Sequence, residues 1–378
     1  MKALRYAKRL VEIDSTSRLS NRVVSKYLEM KLTKHGFIVE RLQYRDQADV
    51  RKVCLVAKKG TGAGGLAYSC HTDVVPAEKW FSSSFGPFDP KVINGRLYGR
   101  GSCDMKGSLA CFMAAAQQFD ADELTKPIYM VVTADEEVGF HGARHVVSES
   151  KFYRELVDHG AKMIIGEPTN LEVVYAHKGS LCLRATGSGR AAHSSTGCGD
   201  NANLRMIPFL QEMLSIYQET ERETVWHNPE FDPPSLTWNI GIKDDAAAIN
   251  VTASSSVCTV YARPMPQVDC APLIERAQAV ALTNGLTLEI LRSCDPLYTP
   301  PDSDYIRQTL QCVGQSQPKT VAYATDGGVF TEVADKLIFG PGDIAQAHTH
   351  DEWISLEQLA LGTTLYAKLI RHWCTNHE

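Results

Sequence analysis

Residues 65–73 read GLAYSCHTD. The stretch predicts a short apolar strand, from Gly65 to Tyr68, that delivers a histidine and an aspartate at its carboxyl end. Because residues two apart on a strand point to the same face, His71 and Asp73 can converge on one point. Such a pair suits a metal-ligating imidazole whose second nitrogen donates to a carboxylate. The alternative is a polar strand end at the surface, and partners for His71 elsewhere in the chain decide between the two.

The composition is that of an ordinary globular protein. The chain has 378 residues, enough for two domains, and is 44% hydrophobic and 22% charged. The formal net charge of −5 gives no sign of a surface for nucleic acid or for an anionic membrane. No apolar run approaches the roughly 18 residues of a membrane span, and the opening MKALRYAKRLVEI is not a signal peptide. We therefore expect neither a nucleic-acid partner nor a membrane partner.

The cysteine pattern bears on the compartment. The chain has 11 cysteines, an odd number, with no CxxC pair among them. This usage indicates free thiols in a reducing compartment, and we expect a cytoplasmic protein. Cys70 and Cys103 lie beside candidate ligands, but neighbouring residues on a strand point in opposite directions. We therefore interpret both as small buried hydrophobic residues.

The first half of the chain alternates between strands and helices. Strands are predicted at 37–44, 52–57, 65–68, 128–133 and 162–165, and helices at 20–35, 109–119 and 141–151. This alternation predicts an α/β domain with a largely parallel central sheet.

An α+β segment interrupts this α/β pattern. It has predicted strands at 179–186, 251–263 and 287–292 and helices at 203–219 and 270–283. The α/β pattern then returns, with strands at 321–324 and 336–339 and a helix at 356–373. We predict a discontinuous catalytic, metal-binding domain made of residues 1–180 and 290–378, with an inserted domain at 181–289.

Histidines and acidic residues follow several of the apolar strands. They are His71, Asp104, Glu136 or Glu137, Glu167, and His348 or His350. Ligands of open α/β sheets bind at the carboxyl ends of the strands, so we expect these side chains to meet. Nitrogen and oxygen donors suit Zn²⁺, with Co²⁺ or Mn²⁺ possible. Five donors exceed what one tetrahedral zinc ion uses, which favours two ions that share a carboxylate and activate a hydroxide for amide hydrolysis.

The adjacent Glu136 and Glu137 suggest two roles. Neighbouring residues cannot both face one metal on a regular strand, so one should bind metal while the other takes a proton from the bridging water. A buried carboxylate among other anions has a raised pKa, which suits a general base. For an isolated pair of glutamates, a solvated surface turn is the alternative.

Five motifs, in this order and spacing, resemble the M20 family of dinuclear zinc aminoacyl hydrolases. They are HTDVVP at 71–76, GRGSCDMKG at 99–107, TADEEVG at 133–139, IGEPT at 165–169 and GPGDIAQAHTHDEW at 340–353. The resemblance spans nearly the whole chain. It is greatest to the family's acetylornithine deacetylases, and the family also contains succinyl-diaminopimelate desuccinylases, aminoacylases and carboxypeptidase G2.

The resemblance implies a role for each candidate residue. His71 and Glu167 bind one zinc ion, Glu137 and His348 bind the other, and Asp104 bridges them. Glu136 is the general base, Asp73 supports His71, and His350 lies at the pocket rim. The peptide bond after Asp104 is expected to be cis.

The inserted segment resembles the family's lid or dimerisation domain, which has a ferredoxin-like fold. Residues 192–195, AHSS, resemble a motif whose histidine reaches into the partner subunit's site and hydrogen-bonds the developing oxyanion. The resemblance therefore implies a homodimer, with His193 in this role, although Gly197 stands where the family has proline. Asn250 and Arg263 resemble positions that hold the substrate's carboxylate, for which a guanidinium is well suited.

The expected function is removal of an acyl group, expected to be acetyl, from the nitrogen of an amino acid. N-acetylornithine is the preferred substrate, which gives ornithine and acetate and places the reaction in arginine biosynthesis. Asp326 is a candidate partner for the cationic side chain, or alternatively a turn residue. The alternatives are an acetylcitrulline deacetylase, a desuccinylase, an aminoacylase, a dipeptidase, or a non-catalytic binding protein on the same fold.

Overall fold

The computed structural model describes residues 1–376, including the side chains of all but Arg292 and Ser293. The chain forms two compact units. The first comprises Met1–Ala176, Leu297–Lys319 and Thr325–Glu378, and the second comprises His177–Pro296 and Thr320–Ala324.

Helices and strands alternate along the chain. The helices are α1 (Lys2–Val11), α2 (Arg22–Lys34), α3 (Gly107–Ala116), α4 (His141–Glu149), α5 (Lys151–Asp158), α6 (Ala202–Arg222), α7 (Ala271–Thr283), α8 (Asp304–Val313) and α9 (Leu356–Cys374). The strands are β1 (Ile38–Arg45), β2 (Arg51–Lys59), β3 (Leu66–His71), β4 (Lys91–Ile93), β5 (Arg96–Tyr98), β6 (Ile128–Thr133), β7 (Lys162–Ile165), β8 (Val174–His177), β9 (Ser180–Ser188), β10 (Trp238–Asp244), β11 (Ser255–Ala262), β12 (Thr287–Cys294), β13 (Leu297–Tyr298), β14 (Lys319–Val321), β15 (Lys336–Ile338) and β16 (Trp353–Ser355).

A large sheet organises the first unit. Its strand order is β1-β2-β6-β3-β7-β15-β8-β13, with β14 paired to β8. The four strands β6, β3, β7 and β15 run parallel to one another, whereas β1, β2 and β8 pair antiparallel with their neighbours. Strands β3 and β6 are buried at every position, as expected for the middle of a sheet that is covered on both faces. The predicted α/β fold with a largely parallel central sheet is confirmed.

The buried helix α3 connects this sheet to the site. All of its residues are buried, and it packs on α1 and α9, which explains why its sequence is apolar on every side. The ring of Phe112 stacks on that of Tyr68 in β3, with centroids 4.2 Å apart. At its first residue, Gly107, a Cβ atom would lie 2.3 Å from the carbonyl oxygen of Ser102. Only glycine therefore allows the preceding turn, which carries Asp104, to close tightly on the helix.

The four parallel strands end at one edge of the sheet. His71 is the last residue of β3, Glu136 and Glu137 follow β6, and Glu167 follows β7. The segment after β15 leads through a loop to His348. This arrangement is the one in which open α/β sheets place their ligands.

The second unit has a four-stranded antiparallel sheet in the order β10-β11-β9-β12. Helices α6 and α7 pack on this sheet, and the connectivity β9-α6-β10-β11-α7-β12 is that of a ferredoxin-like fold, as expected. Strand β11 alternates between buried and half-buried positions, which is typical of a sheet with one face against helices.

Some elements differ from the sequence predictions. The predicted strand at 321–324 is wrong, since β14 covers Lys319–Val321 instead. The helix predicted at 141–151 ends at Glu149, and α5 begins after Ser150, whose hydroxyl accepts a hydrogen bond from the backbone N–H of Tyr153 at 3.0 Å. The sequence also does not predict α1, α8 or β10.

Two further expectations concern the cysteines and membrane-spanning helices. All of the chain's cysteines are free thiols, and Cys70 and Cys103 are buried, as predicted. Among residues 1–376, no helix has both the length and the apolar character that a membrane crossing needs.

Candidate metal centre

Five donor side chains meet at the carboxyl edge of the parallel strands. Donor atoms of His71, Asp104 and Glu137 all lie within 4.8 Å of one another. The two oxygens of Asp104 face different imidazoles: Oδ1 is 2.9 Å from His71 Nε2, and Oδ2 is 3.2 Å from His348 Nε2. A carboxylate so placed is suited to bridge two ions.

The other two carboxylates each accompany one of these imidazoles. Glu137 Oε1 lies 3.1 Å from His348 Nε2. Glu167 Oε1 lies 3.7 Å from His71 Nε2. The structure thus brings together all five predicted ligands, in the pairs that the family resemblance implies. Their roles as ligands stay predictions.

The loop that carries Asp104 is held by Glu352, which the sequence does not single out. Its buried carboxylate accepts hydrogen bonds from the backbone N–H groups of Gly101, Cys103 and Asp104 at 2.8 to 3.0 Å. Arg100 Nη1 donates to the same carboxylate at 2.7 Å. Burial raises the pKa of Glu352, and the charge of Arg100 opposes that rise. The peptide bond between Asp104 and Met105 is cis, as expected from the resemblance.

Asp73 links His71 to the two adjacent glutamates. Nδ1 of His71 is 2.9 Å from the backbone carbonyl oxygen of Asp73 and 3.7 Å from its carboxylate. The sequence predicts that the carboxylate of Asp73 supports the imidazole, but the backbone carbonyl of Asp73 is the group within hydrogen-bond distance. The Asp73 carboxylate instead accepts hydrogen bonds from Ser17 Oγ at 2.8 Å and from the backbone N–H groups of Glu136 and Glu137 at 3.2 and 3.3 Å. Asp73 thus fixes the turn on which both glutamates lie.

Asp135 anchors the same turn from the other side. Its carboxylate accepts a hydrogen bond from Lys52 Nζ at 2.7 Å and another from the Tyr44 hydroxyl at 2.8 Å. Both members of the Lys52–Asp135 pair are 1% exposed, so this ion pair is fully desolvated. The sequence offers no signal for it, because Lys52 lies in a strand far from the motif.

Glu136 and Glu137 have different surroundings. The carboxylate of Glu137 contacts His348, whereas Glu136 is buried beside the cluster. Burial raises the pKa of Glu136 well above its usual value; the charge of His71 opposes this, and those of Glu137 and Glu167 add to it. This environment suits the predicted general base.

The electrostatics of the cluster indicate a need for further positive charge. Burial and the neighbouring Asp104 raise the pKa of Glu167 well above its usual value. Hydrogen bonds to Asp104 and Glu137 raise the pKa of His348 to about 10. Burial opposes the charged form of Asp104, but hydrogen bonds from His348 and His71 outweigh it and lower the pKa of this carboxyl. Two imidazoles with three such carboxylates form a donor set that fits divalent ions.

Two further candidates from the sequence, Asp326 and His350, differ in their burial. Asp326 is 2% exposed and accepts a hydrogen bond from Thr133 Oγ1 at 2.6 Å, so it lies inside the first unit at the start of a short helical turn. Its role as a partner for a substrate's cationic side chain stays a prediction. The side chain of His350 is exposed, and its backbone carbonyl accepts a hydrogen bond from Phe81.

The second unit carries the remaining candidates. His193 is exposed, and its Nδ1 accepts hydrogen bonds from the hydroxyl of Ser195 at 2.8 Å and from its backbone N–H at 3.3 Å. Nε2 of His193 lies 3.4 Å from Asn250 Nδ2. The guanidinium of Arg263 lies 4.8 Å from the centroid of the Tyr261 ring.

His193 and Arg263 flank opposite ends of one strand. Residue His193 pairs with Val251, which precedes β11, whereas Arg263 follows the last residue of β11. An eight-residue strand is about 25 Å long. Within one chain, the structure therefore brings His193 and Asn250 together but not Arg263.

This fold and this cluster define a class of protein, the metal-dependent hydrolases of amide bonds. The chain belongs to peptidase family M20/M25/M40, which residues 67–372 match. Acetylornithine deacetylase of Myxococcus xanthus is 32% identical over 377 residues, covering 97% of this chain and 96% of that protein. Acetylornithine deacetylase of Pasteurella multocida is 32% identical, covering 94% of this chain and 92% of that protein.

Solved structures share the fold. An M20 family metallo-carboxypeptidase from Sulfolobus solfataricus superposes with a TM-score of 0.78 at 16% identity, covering 99% of both chains. A dinuclear metal-binding peptidase of the M20 family from Bacillus subtilis superposes with a TM-score of 0.63 at 14% identity, covering 97% of this chain and 96% of that one.

Proposed function

We propose that the protein hydrolyses N-acetylornithine to ornithine and acetate, with two zinc ions held by the five-residue cluster. The observation that carries this proposal is Asp104, whose two oxygens face two separate imidazole–carboxylate pairs, with Glu136 buried beside them. The relatives named acetylornithine deacetylase, about one third identical over nearly the whole chain, support the choice of substrate.

The pairing of side chains in the cluster supports an assignment of the ligands. His71 and Glu167 would bind one ion, His348 and Glu137 the other, and Asp104 both. When bound, a pair of divalent ions would activate a water molecule and polarise the amide carbonyl. Zinc suits imidazole and carboxylate donors, and Co²⁺ is a suitable substitute.

Glu136 moves the proton. Its carboxylate accepts a proton from the attacking water as the new C–O bond forms, and it then donates that proton to the amine nitrogen as the C–N bond breaks. The burial that raises the pKa of this carboxylate suits both halves of the exchange. The products are one carboxylic acid and one free amine, so atoms and charges balance.

His193 would stabilise the carbonyl oxygen as negative charge develops on it. A backbone N–H can only donate, so the contact of Ser195 N with His193 Nδ1 leaves Nδ1 as an acceptor. A neutral imidazole then carries its hydrogen on Nε2, where it is available to the oxyanion. Ser195 therefore favours the tautomer that this role requires, and Asn250, whose Nδ2 lies 3.4 Å from Nε2, would have to present its amide oxygen to this hydrogen or move away.

A homodimer formed through the second unit would explain the separation of Arg263 from His193. One chain cannot place both on the same small substrate, because β11 lies between them. Two subunits can do so if one supplies His193 and Asn250 and the other supplies Arg263 for the substrate's carboxylate. On this proposal residues 181–289 form the dimerisation domain, and the free cysteines support a cytoplasmic location.

The substrate is tested by kinetic comparison with the zinc-loaded enzyme. We expect the largest kcat/KM for N-acetylornithine in a panel that also contains acetylcitrulline, succinyl-diaminopimelate, an N-acetylated neutral amino acid and a dipeptide. If N-acetylornithine is the poorest of the panel, the substrate assignment is wrong while the hydrolase assignment stands.

A further inference from the structure

A cavity separate from the candidate metal centre lies in the first unit, where α1 begins and where α2 and α3 end. Its volume is about 340 Å³. The lining residues are Lys2, Arg5, Tyr6, Tyr27, Lys31, Lys34, His35 and Gln117. Sites for small molecules measure roughly 300–1,000 Å³, so the cavity has room for a small metabolite. None of its residues is a candidate metal ligand, and the proposed hydrolysis does not use it.

The lining is strongly basic. Four of its side chains are cations and none is a carboxylate, in a chain whose net charge is −5. Nearby basic residues such as Arg9 have ion-pair partners, here Glu12 at 2.8 Å. Within residues 1–376, no such partner lies within ion-pair distance of Lys2, Arg5, Lys31 or Lys34. The cavity therefore concentrates uncompensated positive charge.

The helix dipoles favour only two of these four cations. Lys31 and Lys34 lie in the last turn of α2, where the partial negative charge of the helix end favours cations. Lys2 and Arg5 lie in the first turn of α1, which has no acidic residue and where the helix dipole disfavours cations. The positive charges of Lys2 and Arg5 are therefore unfavourable in the free protein, and a bound anion would offset them.

The walls of the cavity are ordered by contacts among the side chains. The Tyr6 hydroxyl donates to Gln117 Oε1 at 3.2 Å and lies 2.8 Å from His35 Nε2. The ammonium of Lys31 lies 5.5 Å from the centroid of the Tyr27 ring. Burial lowers the pKa of His35 most, followed by the charge of Lys59 outside the cavity and then by those of Lys31, Lys34 and Lys2 in its lining.

We propose that this basic cavity binds a small phosphorylated metabolite, with its phosphate dianion between Lys2, Arg5, Lys31 and Lys34 and its remainder against the two tyrosine rings. A phosphate group offers several acceptor oxygens to converging cations, and arginine binds it through two parallel hydrogen bonds. A concave site of this size favours a small molecule over nucleic acid, which the net charge of the whole chain repels.

Calorimetry with adenosine monophosphate as the probe tests this proposal on the metal-loaded enzyme. We expect saturable binding that weakens as salt is added. Lys31→Glu/Lys34→Glu should weaken it by about tenfold or more, because two attractions become repulsions. The matched control is Lys26→Glu/Lys368→Glu, which makes the same change in net charge at exposed lysines outside the cavity and should leave the affinity unchanged.

Three results would overturn the proposal. The first is that adenosine monophosphate shows no saturable binding at millimolar concentration. The second is that the cavity variant and the control variant bind it equally well, which places the probe at the metals or elsewhere. The third is that succinate binds as tightly as adenosine monophosphate. Should the double variant not fold, Lys34→Gln at an exposed position replaces it, with Lys26→Gln as its control. N-acetylornithine hydrolysis without the probe should be equal in all variants, so this test is independent of the proposed function.

Discussion

The two oxygens of Asp104 face two imidazoles, the position that its proposed bridging role requires. Glu352 holds the loop in this position by accepting hydrogen bonds from three backbone N–H groups, those of Gly101, Cys103 and Asp104 itself. The geometry of the candidate metal centre thus depends on a carboxylate that contacts no metal ligand side chain.

Removing the charge of Glu352 should destabilise the protein. Glu352→Gln leaves Arg100, which is 3% exposed, without its carboxylate, and we expect a loss of about 3–5 kcal/mol in the free energy of unfolding. Urea denaturation measures this loss. Glu332→Gln removes one partner of the exposed Arg154–Glu332 pair and should cost no more than about 1 kcal/mol. Equal losses in the two variants would contradict the role given to Glu352.

A variant of Glu136 distinguishes a loss of turnover from a loss of metal binding. Glu136→Gln keeps the size of the side chain but cannot accept a proton, so we expect kcat to fall by about two to four orders of magnitude. Metal content, measured by atomic emission, should be unchanged. Glu137→Gln, which alters a proposed ligand, should instead lower the metal content. Full turnover in Glu136→Gln would rule out the proposed proton transfer.

At the scale of elements, the strand ends were predictable and the contacts between distant loops were not. His71 is the last residue of one short apolar strand and Glu167 comes two residues after another, so a strand pattern and its polar end identify both. Lys52 and Asp135 form their ion pair across neighbouring strands of the sheet, and nothing in either local sequence indicates the other. Helix α1 is strongly amphipathic, with Ala3, Ala7, Leu10 and Val11 buried on one face, so the periodicity of its sequence is a signal that could have predicted it.

The Lys52–Asp135 pair should hold the turn of the two glutamates. Lys52→Met would leave Asp135 buried and unpaired, and we expect the free energy of unfolding to fall by about 3–5 kcal/mol. Arg154→Met breaks an exposed pair and serves as the control, with an expected loss within about 1 kcal/mol. A change below that level in Lys52→Met would show that Asp135 is held by its other contacts alone.

At the scale of the whole molecule, removing the metal should lower the melting temperature of the protein as well as its activity. Chelation leaves three buried carboxylates close together, so the melting temperature should fall and should recover when Zn²⁺ or Co²⁺ is added. His71→Ala should lose most of this recovery, whereas Glu136→Gln should keep it. The same melting temperature with and without zinc in the unaltered enzyme would contradict metal binding at the cluster.

Mixing two inactive variants tests whether subunits share a site. A dimer of one His193→Ala chain and one Glu136→Gln chain has one site with an intact Glu136 and an intact His193 from the partner subunit. We therefore expect activity to appear when the two variants are refolded together. Variants mixed without subunit exchange are the control. If each chain used its own His193, the mixed dimer would stay inactive.

The order of strands in the sheet has a consequence for how the chain is made. Strand β15 lies between β7 and β8, both of which leave the ribosome long before it. By the time Glu167 has been synthesised, four of the five proposed ligands exist, but His348 and the strand before it do not. The nascent first unit therefore lacks the strand that joins β7 to β8, and the whole second unit is synthesised before that strand. The proposed ligand set is therefore complete only after more than nine-tenths of these 378 residues have been synthesised.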